Sequence, residues 1–145
     1  MDTHQVASAD DLRSLIEERD VEYVVVALPD MQGLLRGKYL SRRKLLGALE
    51  NGLGVPPVIF AMEPTDVLYE VVGLSDASTG FPDVPAQVIP QTLREIPWEP
   101  AHRNLFVMLT HGKEGLSFCP RSICQHVLER AGSMGFRASS SPAPP

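Results

Sequence analysis

The sequence predicts an α+β roll, a small mixed sheet with its helices gathered on one face, and three observations predict it. Leu12, Leu15 and Ile16 recur at helical spacing near the start. The β-branched run Tyr23-Val24-Val25-Val26-Ala27-Leu28 is followed at once by the turn residues Asp30-Met31-Gln32-Gly33. Along the whole chain the order is helix, hairpin, helix, strand, long loop, strand pair, helix, which suits helices packed on a mixed sheet. A chain of 145 residues buries about 70% of the surface its unfolded form exposes, enough for one independent core.

Each element has a local cause. Ser8 followed by Asp11 forms a start like a capping box for a first helix running to Arg19. The run from Tyr23 to Leu28 is too continuous in apolar residues for a half-exposed strand, which predicts a strand covered on both faces. Asp first and Gly last at residues 30–33 suit a type I turn, so the chain reverses into a second strand, Leu34 to Leu40. Ser41 can cap a second helix through Glu50, with Leu45, Leu46 and Leu49 as its apolar stripe, and Asn51-Gly52 ends it. A strand from Val58 to Met62 is expected after two prolines. From Glu63 to Pro85 the periodicity disappears and Gly, Pro, Asp, Ser and Thr accumulate. Loops of that length are uncommon in compact domains and tend to carry function or to be disordered. Ala86 to Ile89 and Asn104 to Thr110 read as strands, with Thr92 to Pro100 as their connection, and His111 to Gly115 as a turn. Pro120 can open a third helix to about Met134, on which Ile123, Val127, Leu128 and Ala131 share a face and which Gly135 stops. Residues 137–145, rich in Ser and Pro, read as a disordered tail.

Composition excludes several classes of function. The formal net charge is −5, so there is no global field to attract nucleic-acid phosphates. The longest apolar run, Tyr23 to Pro29, is too short to cross a bilayer, and Met1 to Asp10 shows no signal pattern, which predicts a cytoplasmic protein without a membrane partner. Cys119 and Cys124 are expected to be reduced structural thiols. His4, His102, His111 and His126 are scattered singly, so no zinc set is formed and none is assigned a catalytic role. Gly52-Leu53-Gly54 precedes prolines rather than a helix, which excludes a phosphate loop. Arg36, Lys38, Arg42, Arg43 and Lys44 form a basic cluster whose expected meaning is a solvated helix end. Trp98, the single tryptophan, is expected to pack in the core or at its edge.

An ordered set of short motifs from Val21 to Phe136 resembles the N-terminal part of the glutamine synthetase family. Asp30, Gly33, Arg36, Gly37 and Lys38 look like its opening hairpin, and Asp76-Ala77-Ser78-Thr79-Gly80-Phe81 is similar to its loop of Asp, small or hydroxyl residues, Gly and an aromatic. Asp83, Pro90, Thr92, Leu93, Arg94, Pro97 and Trp98 resemble the segment leading to its Pro-Trp pair, and Cys119-Pro120-Arg121 resembles its connection to the catalytic domain. Gln91 stands where the family usually has Asp, and Phe81 where it often has Trp. The resemblance implies a β-grasp-like roll: an entry helix at residues 1–20, the β-grasp domain at 21–118, a connecting helix at 119–136 and a tail at 137–145, cut off before the catalytic domain.

The resemblance also implies a chemistry, the ATP-dependent ligation of glutamate to ammonia or another amine, with ATP and Mg or Mn as family cofactors that this chain alone does not bind. Within that reading Asp76 would bind the ammonium ion and accept its proton, while Ser78 and Thr79 would orient the loop or touch substrate. Turn formation by Ser75-Asp76, and ordinary loop hydroxyls at Ser78 and Thr79, are the plain alternatives. The expected partner is the catalytic domain of a neighbouring or full-length glutamine synthetase-like subunit. Two roles stay open: an enzyme fragment inert by itself, and a non-catalytic module that docks on full-length subunits.

Overall fold

A computed structural model describes residues 2–69 and 78–139. Helix α1 (Ala9–Glu18) starts at the predicted cap: Ser8 Oγ accepts from Asp11 N at 3.1 Å and Asp11 Oδ2 accepts from Ser8 N at 2.9 Å. Two orphan amides are thereby satisfied, and the helix turns Leu12, Leu15 and Ile16 fully into the core. Strands β1 (Tyr23–Pro29) and β2 (Leu35–Ser41) form the expected antiparallel hairpin, with Gly33 N donating to Asp30 O at 3.1 Å to close its turn. Helix α2 (Arg42–Asn51) follows without a break, and Gly52 ends it at a φ of +70°. Ser41 is its N-cap by position but makes no side-chain cap bond, and Leu45 with Ala48 forms its buried stripe.

Two segments differ from expectation. The strand predicted at Val58 to Met62 is a 3-10 helix, Pro57–Ala61, and the strand is β3, Leu53–Val55, ahead of the prolines. Pro57 has no N–H to give a ladder and its fixed φ suits a first helical position. The second difference lies in β4 (Val84–Glu95), which is one long strand rather than a short strand and a connection. Its pairing with β5 (Leu105–Thr110) breaks between Ile89↔Met108 and Arg94↔Phe106. Pro90, which has no N–H, sits in that bulge, and Thr92 supplies the missing rung: its hydroxyl accepts from Met108 N at 2.8 Å and donates to Ile89 O at 2.6 Å.

The strands form one five-stranded mixed sheet in the order β2-β1-β5-β4-β3, with β1 and β5 parallel at its centre and the other pairs antiparallel. This is an α+β roll of the β-grasp kind. Val24, Val26 and Leu28 of β1 share one face with Leu105, Val107 and Leu109 of β5, and α1 and α2 close the core over them. Each such side chain stabilises the fold by about 1.5–3 kcal/mol through burial. His111 is buried at the end of β5, its Nδ1 2.9 Å from Pro85 O and its ring packed edge-on against Phe60 and Phe118.

Helix α3 (Pro120–Ser133) begins at buried Cys119, with Pro120 in its first turn, and ends at Met134 ahead of Gly135, whose φ is +86°. It runs past the opposite side of the sheet, where Arg121 Nη1 reaches Met108 Sδ at 3.3 Å. The predicted apolar face of α3 is real but uncovered: Ile123, Val127 and Leu128 are 38%, 57% and 47% exposed. Trp98 corrects the expectation of core packing, because it is 82% exposed on the connection between β4 and β5.

Candidate functional site

The loop singled out in the sequence, Glu63 to Pro85, follows the 3-10 helix that ends at Ala61. Its first limb is a small hairpin, Ala61 to Tyr69: Glu63 N donates to Val67 O at 2.8 Å, Asp66 N to Glu63 O at 2.9 Å, and Tyr69 N to Ala61 O at 2.8 Å. Asp66 turns it at a φ of +66°, a conformation Asp tolerates better than most residues. Asp76 lies outside the described residues. Ser78 and Thr79 stand exposed in the turn that follows, and Gly80 and Phe81 have φ of +72° and +50°. A bulky aromatic in the left-handed region is uncommon, and backbone outliers of this type gather at functional sites. The returning limb passes close to β3 at Asp83, whose Oδ2 lies 2.5 Å from where a Cβ on Gly54 would be.

The first limb is fixed by a charged cluster that sequence reasoning assigns to ordinary turn and surface chemistry. Asp30 is 2% exposed. Its Oδ1 accepts from Gln32 N and Leu34 N, both at 2.9 Å, and its Oδ2 accepts from Arg36 Nε at 2.8 Å. Arg36 then gives Nη2 to Glu63 O at 2.7 Å and Nη1 to Asp66. Burial pushes the Asp30 carboxyl up, but Arg36 and the amides of Leu34 and Gln32 outweigh it and hold the group below the usual carboxylate range. Hydrogen bonds to Asp66 and then Asp30 raise the Arg36 guanidinium further. So Arg36 is no part of a solvated basic patch. Arg42 is not either, since its Nε donates to Val21 O at 2.7 Å and its Nη2 to Asp20 at 2.5 Å. The signal for the first cluster was the spacing: Asp30 and Arg36 flank one tight turn, and alternation puts Arg36 on the core side of β2 with Leu40.

A second feature is a shallow groove of about 980 Å³ between the hairpin turn, β4 and α3, lined by Pro29, Met31, Ile89, Arg121 and Leu128 among others. Arg121 Nε is buried there without a hydrogen-bond partner among the described residues. Cys124 also lines it, exposed and free, while Cys119 is free and buried. Among the described residues no group of three or more His, Cys, Asp and Glu could hold a metal ion, and no helix is long and apolar enough to cross a membrane.

No family model matches the chain. It is 38% identical over 116 residues to type-1 glutamine synthetase 2 of Dictyostelium discoideum, covering 79% of this chain and 22% of that protein. It is 30% identical over 132 residues to a gamma-glutamylethanolamide synthetase of Streptomyces coelicolor, 89% of this chain and 28% of that one. A glutamate–isopropylamine ligase of Pseudomonas is 23% identical over 128 residues, 87% of this chain and 28% of the ligase. Among solved structures, a GmaS/ADP complex superposes with a TM-score of 0.59 at 26% identity, over 85% of this chain and 26% of that one. Plasmodium falciparum glutamine synthetase shares the fold with a TM-score of 0.63 at 20% identity, over 93% of this chain and 24% of that one. The chain thus spans about a quarter of the length of the relatives it matches. With its mixed five-stranded sheet and these relatives along most of its length, the chain belongs to the glutamine synthetase family, and the part of the family it matches is the N-terminal domain.

Proposed function

We propose that this domain serves the amine side of an ATP-dependent glutamate–amine ligase. One observation carries the reading: the three curated relatives are named for joining glutamate to different amines or for making glutamine, yet each matches this chain over 79% or more of its length. A domain common to all of them suits the shared step, formation of a γ-glutamyl amide, and leaves the choice of amine open. In this proposal Asp76 attracts the ammonium or alkylammonium ion and takes its proton, and Ser78 and Thr79 shape the loop around it. Phosphorylation of the glutamate γ-carboxylate by ATP, with its divalent metal, belongs to a catalytic domain against which this loop closes the site. By itself the domain does not ligate glutamate.

The exposed apolar side chains of α3, with Met134 and Phe136 at 66% and 67% exposure beyond it, support a partner that covers this side of the domain. The partner proposed is the catalytic domain of a glutamine synthetase-like subunit. The test is to assay this chain alone, and then together with the catalytic region of the Streptomyces relative, for ATP-dependent γ-glutamyl amides by mass spectrometry, offering ammonia, ethanolamine and isopropylamine. Amide formed only by the pair supports the reading. Stable assembly of the pair with no amide from any of the three amines contradicts it and favours a non-catalytic docking module.

A further inference from the structure

We infer that Arg36 is a positioning residue: it docks the Ala61–Tyr69 hairpin onto the sheet, and thereby fixes where the chain enters the loop and how well the amine binds. For its catalytic consequence this inference rests on the ligase reading above; the docking itself stands on the geometry of this chain.

The cluster is built as a bracket. Asp30 is held rigidly by two backbone amides of its own turn, so the carboxylate that receives Arg36 is fixed to the β1–β2 hairpin. Arg36 is 15% exposed in its side chain and commits all three guanidinium nitrogens: Nε to the hairpin at Asp30, Nη2 to the backbone of the limb at Glu63, and Nη1 to its turn at Asp66. A planar guanidinium can join two segments in this manner because its donors point in fixed, different directions, whereas a lysine ammonium is a point charge on a flexible stem. Among the described residues, the limb's other hydrogen bonds are its three internal backbone bonds, a side-chain bond within it from Thr65 Oγ1 to Glu63 Oε2, and a long 3.5 Å contact from Gln32 Nε2 to Tyr69 OH. A two-stranded hairpin on its own is marginal in water. The Asp66 pair is the weaker part, because that carboxylate is 73% exposed, so the limb depends chiefly on the Glu63 carbonyl bond over the buried Asp30. Residue 69 leads directly into the segment that the ligase reading assigns to amine capture, and reacting groups displaced by about 1 Å can lose rate by about 10²-fold.

Hydrogen exchange on the whole chain tests the docking in Arg36→Gln and in Arg36→Lys, which leaves Asp30 a cation and so keeps the fold if the glutamine variant loses it. The amides of Glu63, Asp66 and Tyr69 should exchange roughly tenfold or more faster in both variants, with the β1 and β5 amides unchanged in Arg36→Lys. Unchanged exchange at those three amides in Arg36→Lys overturns the inference. In the reconstituted pair, Arg36→Lys should raise the amine KM by roughly tenfold with the glutamate KM unchanged, a split that general destabilisation would not produce. Faster exchange with an unaltered amine KM also overturns it, while leaving the ligase reading intact. That reading fails separately, if the wild-type pair makes no γ-glutamyl amide.

Discussion

Replacing Asp30 with asparagine removes a charge from a buried carboxylate that accepts three hydrogen bonds and leaves its shape. The new side chain would keep an oxygen for the amides of Gln32 and Leu34, but the atom facing Arg36 Nε at 2.8 Å would become an N–H donor opposed to a donor. The charge-assisted bond lost is worth about 1.5–3 kcal/mol, and a buried unsatisfied donor costs about 1–3 kcal/mol more. Relief of the buried charge offsets part of this, so the expected loss is about 2–4 kcal/mol at pH 7, or a fall in Tm of roughly 5–15 °C for a domain this size. The pH dependence follows from the direction of the shift. The folded carboxyl titrates below its ordinary value, so its contribution is complete above the unfolded value of about 3.9 and disappears as pH falls through the folded one. Urea denaturation of both proteins between pH 3 and 7 should show a constant gap at neutral pH that closes below about pH 4. A gap under about 0.5 kcal/mol at pH 7, or one that widens on acidification, would refute the reasoning.

Other consequences are simpler to test. Ser8→Ala should cost about 1 kcal/mol in urea denaturation, because the cap closed by Ser8 and Asp11 is broken; a cost near zero would mean that the cap is decorative. Gly37→Ala should cost several kcal/mol or abolish folding, since its Cβ would lie 2.1 Å from Val26 O, and wild-type urea stability would contradict the close approach of β1 and β2. A thiol reagent should label Cys124 at once and Cys119 only on unfolding; equal rates in the folded state would place Cys119 outside the core.

What the sequence reveals and what it hides divide along a physical line. Local chemistry is readable: the Ser8 and Asp11 cap, the turn at residues 30–33, Gly52 and Pro120 at helix ends all act within a few residues of themselves. Long-range substitution is not. Thr92 repairing a bulge opened by Pro90 depends on Met108 arriving from another strand, and nothing in the run from Pro90 to Leu93 announces it. Large aromatics usually bury their area and an apolar helix stripe usually faces a core, yet Trp98 and the apolar face of α3 are both exposed in this chain. The site shows the same division. Asp30 reads as a turn former from its neighbours alone, and its second role appears only when Arg36 brings Glu63 and Asp66 to it. Asp76 is singled out by resemblance rather than by geometry, and it falls outside the described residues.

The central claim, that this domain provides the amine side of a glutamate–amine ligase, is tested most directly by Asp76→Asn in the reconstituted pair, measuring two partial reactions. Glutamyl-phosphate formation follows the ATP half of the chemistry, and γ-glutamyl amide formation follows the amine half. Asparagine keeps the size of the side chain but can neither attract the ammonium ion as a charge nor take its proton. Amide synthesis should fall by about 10²- to 10⁴-fold, with glutamyl-phosphate formation comparatively spared. Equal loss of both reactions, or no loss of either, would contradict the account and leave Asp76 as a turn residue.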